Sequence, residues 1–169
     1  MSYADLSAFV EGLFIEYGYI ALFGIFVLEG AMLLYFAPSE SLVPGAIYLL
    51  TGHSPVEIAV VIGVAAMGAT IGQTVLFLFA KRGGRDRLFE HRWVGVSEDR
   101  LDRFDRWFDQ WGTLSVVVSN ALPFTRGMCT IPAGFARLDT HRFVISSAFG
   151  TILFESALAL LTLGVLQLF

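Results

Sequence analysis

Positive charge is missing from most of this chain: no Lys or Arg occurs in residues 1–80 or 143–169. All eleven cations fall between Lys81 and Arg142, interleaved with acids. A basic stretch so short and so mixed excludes a nucleic-acid partner. Charge of either sign is scarce, at 15% of residues, where a soluble domain carries about 25%. Cysteine is nearly absent as well. Cys129 stands alone, so no intrachain disulfide can form. The three histidines, His53, His91 and His141, sit in separate turns and do not make a metal site. Met1–Glu16 lacks a positive n-region and contains Asp5, Glu11 and Glu16, so it does not read as a secretory signal. No cofactor is implied.

What remains is apolar. Hydrophobic residues make up 56% of the 169, and mean hydropathy is +0.69. The composition predicts an all-α integral membrane protein forming one domain over 1–169. Residues 56–80 and 143–168 are each long and apolar enough for a full transmembrane helix, which needs about 20 residues. Gly63, Gly68 and Gly72, with Ala65, Ala66 and Ala69, give the first span a thin face for close helix packing; that face also permits a homodimer.

Two other apolar stretches are broken. Residues 17–36 carry Glu29 and run into Ala37-Pro38-Ser39-Glu40, and 41–51 is a half-span containing Pro44-Gly45. Residues 113–136 contain Asn120, Pro123, Arg126, Pro132 and Gly134. Interior prolines oppose a continuous helix. Broken backbone at membrane depth is tolerated only where protein or water satisfies it. Both stretches therefore read as re-entrant helical hairpins. Residues 4–16 read either as an interfacial amphipathic helix or as the start of a membrane helix. Residues 97–112 read as a second interfacial helix, with Trp107 and Trp111 at headgroup level. Residues 81–93 read as a basic loop.

The halves repeat, about 4–82 and about 97–169. Gly18 stands 20 residues before Pro38, as Gly112 does before Pro132. One span per half makes the second half inverted, a pattern found in transporters with a site near the midplane. The cation distribution places the 81–106 segment in the cytoplasm and both termini outside.

Glu29, Glu40, Arg126 and Glu155 are the informative residues. Even on the gentlest scale, a charge at the bilayer centre costs roughly 2.5–3.5 kcal/mol. One explanation is structural: Glu29 or Glu40 pairs with Arg126 and locks the hairpins together. The other is functional. Arg126, at the Pro123-Phe124-Thr125 break, receives an anion with Asn120 and Thr125, while Glu29, Glu40 and Glu155 take up and release protons. Asn120 serves equally to satisfy broken backbone, Gln73 to bond across helices, and Glu155 either to face the cavity or to snorkel. An enzyme needs a nucleophile or metal cluster at depth, and Cys129 has no nearby His on its element. A purely structural partner of other membrane proteins is the remaining class.

Several motifs resemble the DedA family, which shares the VTT (SNARE-associated Golgi protein) domain. They are Glu29-Gly30, Pro38-Ser39-Glu40 with Pro44-Gly45, Gly68-x-x-x-Gly72 with Gly83, and above all Pro123-Phe-Thr-Arg126-x-x-x-x-Ile-Pro132-Ala-Gly134 with Arg142-Phe143. The resemblance covers nearly the whole chain. It implies a lipid transporter for anionic carriers of the polyprenyl phosphate class, moving a lipid phosphate headgroup across the cytoplasmic membrane with coupled protons. A gradient-independent phospholipid scramblase is the alternative. By the same resemblance Glu29 and Glu40 match the family's membrane acids and Arg126 its hairpin arginine. There are departures. Asn120 stands where the family often has a second Arg. Gly72-Gln73-x-x-x-Phe77 replaces Gly-Asp-x-x-x-Tyr. The last span has Phe154-Glu155 near the family's Trp.

Overall fold

The computed structural model describes residues 17–34, 39–52, 54–90, 106, 110–123 and 125–166. Pro38, His53, His91, Phe124, the expected interfacial helix over 4–16 and most of that over 97–112 lie outside these residues. The described residues form six helices and no strand: α1 Tyr19–Gly30, α2 Ser39–Leu50, α3 Pro55–Glu90, α4 Thr113–Ala121, α5 Thr130–Phe135 and α6 Thr140–Leu166.

Two helices are long and apolar enough to cross a bilayer: Pro55–Gly83 within α3 (29 residues) and Thr140–Gly164 within α6 (25 residues). At 1.5 Å per residue they reach about 43 and 37 Å, beyond the roughly 30 Å hydrocarbon core. The other helices are far shorter. The 12 residues of α1 and the 9 of α4 give only about 18 and 14 Å. Large apolar side chains face outward along the long helices, among them Val56, Phe79, Leu160 and Leu161, each at least 66% exposed. A soluble monomer rarely shows so much exposed apolar surface; such a surface suits contact with lipid.

The break in the first broken stretch comes earlier than the prolines suggest. α1 ends at Gly30, directly after Glu29. Met32 adopts the left-handed conformation (φ 58°). Its N–H donates to the Glu29 carbonyl, and the Leu33 N–H donates to the Leu28 carbonyl. This is a Schellman end built on a non-glycine residue. Arg137 (φ 53°) closes α5 with the same bond pattern. Pro44 lies inside α2 rather than ending it, which removes the donor for the Glu40 carbonyl. The expected basic loop is helical as far as Glu90. Arg, Leu and Glu, all good helix formers, outweigh Gly83-Gly84 there.

α1 and α5 pack on α3, α4 packs on α6, α2 touches both α3 and α6, and α3 lies against α6. Lipid tails are as apolar as leucine, so helices associate through close fit rather than by escape from water. The glycines show how close. A Cβ at Gly72 would lie 2.1 Å from the Val27 carbonyl oxygen, and one at Gly68 would lie 2.7 Å from that of Phe23. Gly30 meets Ala69 from the other side, Gly150 meets Val117, and Gly134 meets Phe77. The thin face of α3 thus serves packing within the chain. Gly63, grouped with it from sequence, faces open space, as does Gly45.

At the base of α6, Asp139 accepts a hydrogen bond from the Arg142 N–H at 3.1 Å. That bond holds its carboxyl below the ordinary value. A depressed folded pKa contributes stability above the unfolded value, about 3.9, and the contribution is lost as the pH falls through the lower folded one. Thermal unfolding in detergent should therefore show Asp139→Ala less stable than the parent at pH 7, with the two converging as the pH falls through the lowered folded value.

Candidate functional site

Arg126 lies in the break between α4 and α5, and its backbone is fastened on both sides. Before it, the Ser119 hydroxyl donates to the Thr125 carbonyl at 2.6 Å, and the Thr125 hydroxyl donates back to the Ser119 carbonyl at 3.1 Å. After it, the N–H of Gly127 donates to Asn120 Oδ1 at 3.0 Å. Gly127 has φ +74°, which glycine adopts without steric cost. Asn120 is held in turn by a reciprocal amide pair with Gln73 of α3, at 3.0 and 3.3 Å. The Ser147 hydroxyl of α6 donates to the same Gln73 oxygen.

The guanidinium is buried between two acids. Nη1 lies 2.6 Å from Glu155 Oε1, and Nη2 lies 3.6 Å from Glu29 Oε2. Side-chain exposure is 6% for Arg126, 0% for Glu155 and 13% for Glu29. The rings of Phe26 and Phe154 stand 5.6 and 5.1 Å from the guanidinium carbon, in cation–π range. Although ion-paired, the three guanidinium nitrogens and both Glu155 oxygens make no well-directed hydrogen bond among the described residues. Such groups normally find partners when buried. One cation thus faces two carboxylates with donor capacity in reserve.

The residues singled out from sequence are distributed as follows. Arg126, Glu29 and Glu155 come together, and Glu155 faces inward rather than snorkelling. Glu40 is exposed in the first turn of α2 and makes no ion pair with Arg126. Thr125 is exposed, and its hydroxyl is committed to the Ser119 carbonyl. Asn120 is 1% exposed and committed to Gln73 and Gly127. Pro123 lies in the turn, Pro132 and Gly134 in α5. Sequence reasoning missed Phe26 and Phe154. It also missed the contribution of Ser147, whose signal was the four-residue recurrence Ser147, Thr151, Glu155 along one helix. Among the described residues no group of three His, Cys, Asp or Glu is placed to hold a metal. A separate open groove of about 550 Å³ runs beside α4, lined by Trp111, Ser115, Val118, Leu122, Met128 and Cys129; Arg126 does not line it.

Asn120→Leu should lower stability by about 1–3 kcal/mol by leaving Gln73 Nε2 and the Gly127 N–H without their shared acceptor. Detergent-titrated unfolding measures this. The double variant with Gln73→Leu should lose less than the sum of the two single changes.

The comparisons with known proteins agree on the kind of molecule. The VTT domain family model matches residues 38–164. The chain is 28% identical over 151 residues to undecaprenyl phosphate transporter A of Staphylococcus aureus, covering 86% of this chain and 73% of that one. It is 24% identical over 145 residues to the uncharacterised membrane protein YbfM of Bacillus subtilis, covering 85% and 88%. It is also 28% identical over 95 residues to undecaprenyl phosphate transporter A of Bacillus subtilis, covering 56% and 47%. No solved structure matches it. With three quarters of its length inside the family model and two bilayer-length helices, this chain belongs to the VTT-domain (DedA) family of membrane proteins.

Proposed function

We propose that the protein carries anionic lipids of the polyprenyl phosphate class across the cytoplasmic membrane, with Arg126 receiving the phosphate. The observation that carries this reading is the buried guanidinium of Arg126 held between Glu155 and Glu29. Arginine presents a planar fork that matches phosphate oxygens. Without lipid the two carboxylates occupy it. A proton on either neutralises that acid and frees the fork; loss of the proton favours expulsion of the phosphate. The transporter names carried by two relatives support the same substrate class.

Thr125 and Asn120 shape the tip from which Arg126 projects, and Glu40 stands in the first turn of α2. The inverted hairpin arrangement is part of the proposal. Its support is the packing, in which α1 and α4 each lie on the span of their own half, α5 crosses to the other span, and α2 touches both. Gly18 and Gly112, before α1 and α4, also share one unusual conformation (φ 53° and 51°, ψ −121° and −129°). The positive-inside rule puts the Lys81 end of α3 and the base of α6 in the cytoplasm; Lys81 bonds the Leu138 carbonyl there.

Vesicles loaded with a short-chain polyprenyl phosphate test the function. Translocation should accelerate with an imposed pH gradient and lose that acceleration in Glu29→Gln. A rate indifferent to both would instead establish passive scrambling.

A further inference from the structure

Beneath the ion pair runs a row of buried hydroxyls that the proposed cycle has not used. Ser147, Thr151 and Glu155 share one face of α6 by their spacing, and each is 0% exposed. One end of the row is tied at Gln73 through Ser147, the other at Arg126 through Glu155. Thr151 lies between them, and its Oγ1 has no hydrogen-bond partner among the described residues.

α3 faces this row in antiparallel register. Lys81 bonds Thr140 at 3.2 Å, Phe77 stacks on Phe143, and Gln73 accepts from Ser147. Counting on along both helices brings Thr70 level with Thr151. Thr70 is 8% exposed, and its Oγ1 also lacks a partner among the described residues. A dry, unpaired buried polar group costs about 1–3 kcal/mol, and internal water is the usual remedy. Toward Lys81 the polar row stops. Phe77 and Phe143, both 0% exposed, stack with ring centroids 4.1 Å apart and planes 8° from parallel. Apolar constrictions of this kind close a path by dewetting.

We propose that Thr70 and Thr151 hold internal water that relays protons between Glu155 and the Lys81 end of the molecule, with the Phe77–Phe143 stack as the gate. This rests on the proton-coupled reading above and supplies its route. A proton entering past the opened stack moves along water to a Glu155 oxygen. The new O–H bond neutralises the carboxylate and releases Arg126. On return the proton leaves that oxygen for water, and the ion pair forms again. Arg126 faces Glu155 directly, Glu29 lies across Arg126, and Glu40 is the acid on α2. α4, α5 and the stretch of α3 from Ile58 to Ala80 contain no charged residue.

Two measurements on the full chain in phosphatidylethanolamine–phosphatidylglycerol vesicles test the relay. Water-edited solid-state NMR should show rapid magnetisation transfer from water to Thr70 and Thr151. Dry threonines overturn the proposal whether or not lipid moves. Proton entry, read by trapped pyranine with short-chain polyprenyl phosphate present, should slow at least about tenfold in Thr151→Val. It should recover in Thr151→Ser and quicken in Phe77→Ala. Proton entry unchanged by Thr151→Val also overturns the relay. Lipid movement with no proton entry in the parent protein overturns the coupling on which the relay depends, even if both threonines are wet.

Discussion

Arg126→Ala is expected to reduce translocation of a polyprenyl phosphate in reconstituted vesicles to the protein-free background. On the proposed reading the variant loses the phosphate receiver. It also leaves Glu155, wholly buried, without its cation. Breaking a buried pair from one side costs about 3–5 kcal/mol, so the single variant will be less stable as well as inactive. A second change separates the two effects. Arg126→Ala with Glu155→Gln removes the stranded charge and should recover most of the stability while remaining inactive. Arg126→Lys keeps the charge but not the fork, and should retain a minor fraction of the rate. Translocation by the double variant at the parent rate would exclude Arg126 as the receiver.

The second large effect concerns backbone contact. Gly72→Val should prevent stable packing of α1 on α3. The added Cβ would sit 2.1 Å from the Val27 carbonyl oxygen and 2.7 Å from the Ala31 nitrogen. These are backbone atoms that cannot rotate aside. Overpacking typically costs about 1–3 kcal/mol, and this site belongs at or above the upper end of that range. Separation of α1 from α3 also withdraws Glu29 from Arg126, so transport should fall with stability. Gly63→Ala, on the same helix but facing open space, is the matched control and should stay within about 0.5 kcal/mol of the parent. Unfolding by titrated denaturing detergent reads both. Equal midpoints for the two variants would refute the close contact.

The spans were legible because their signal is local: an apolar run of sufficient length needs no partner to be recognised. The presence of charged residues in broken segments was legible for the same reason. Their pairing was not. Glu155 and Arg126 are 29 positions apart, and nothing in either neighbourhood ranks Glu155 above Glu29 or Glu40 as the nearer acid; the crossed packing of the helices decides it. Gln73 and Asn120 could each be assigned a bonding role from sequence, but their mutual amide pair spans 47 positions. The early end of α1 was hidden because Met32, not glycine, takes the left-handed conformation. The helix over 81–90 was hidden because Gly83-Gly84 read as punctuation while the residues around them favoured continuation.

The double fastening of Arg126 has a mechanical consequence. With Thr125 bonded to Ser119 and Gly127 bonded to Asn120, the arginine projects from a stiff lever rather than hanging from a slack strap. Its own rotamers can shift the charge between neighbouring acids. Carrying that charge farther requires the whole tip to travel with α4, or the latch to Gln73 to spring. On the proposed reading, a covalent staple between α4 and α3 near that latch should therefore arrest lipid movement mid-stroke while leaving Arg126 itself untouched.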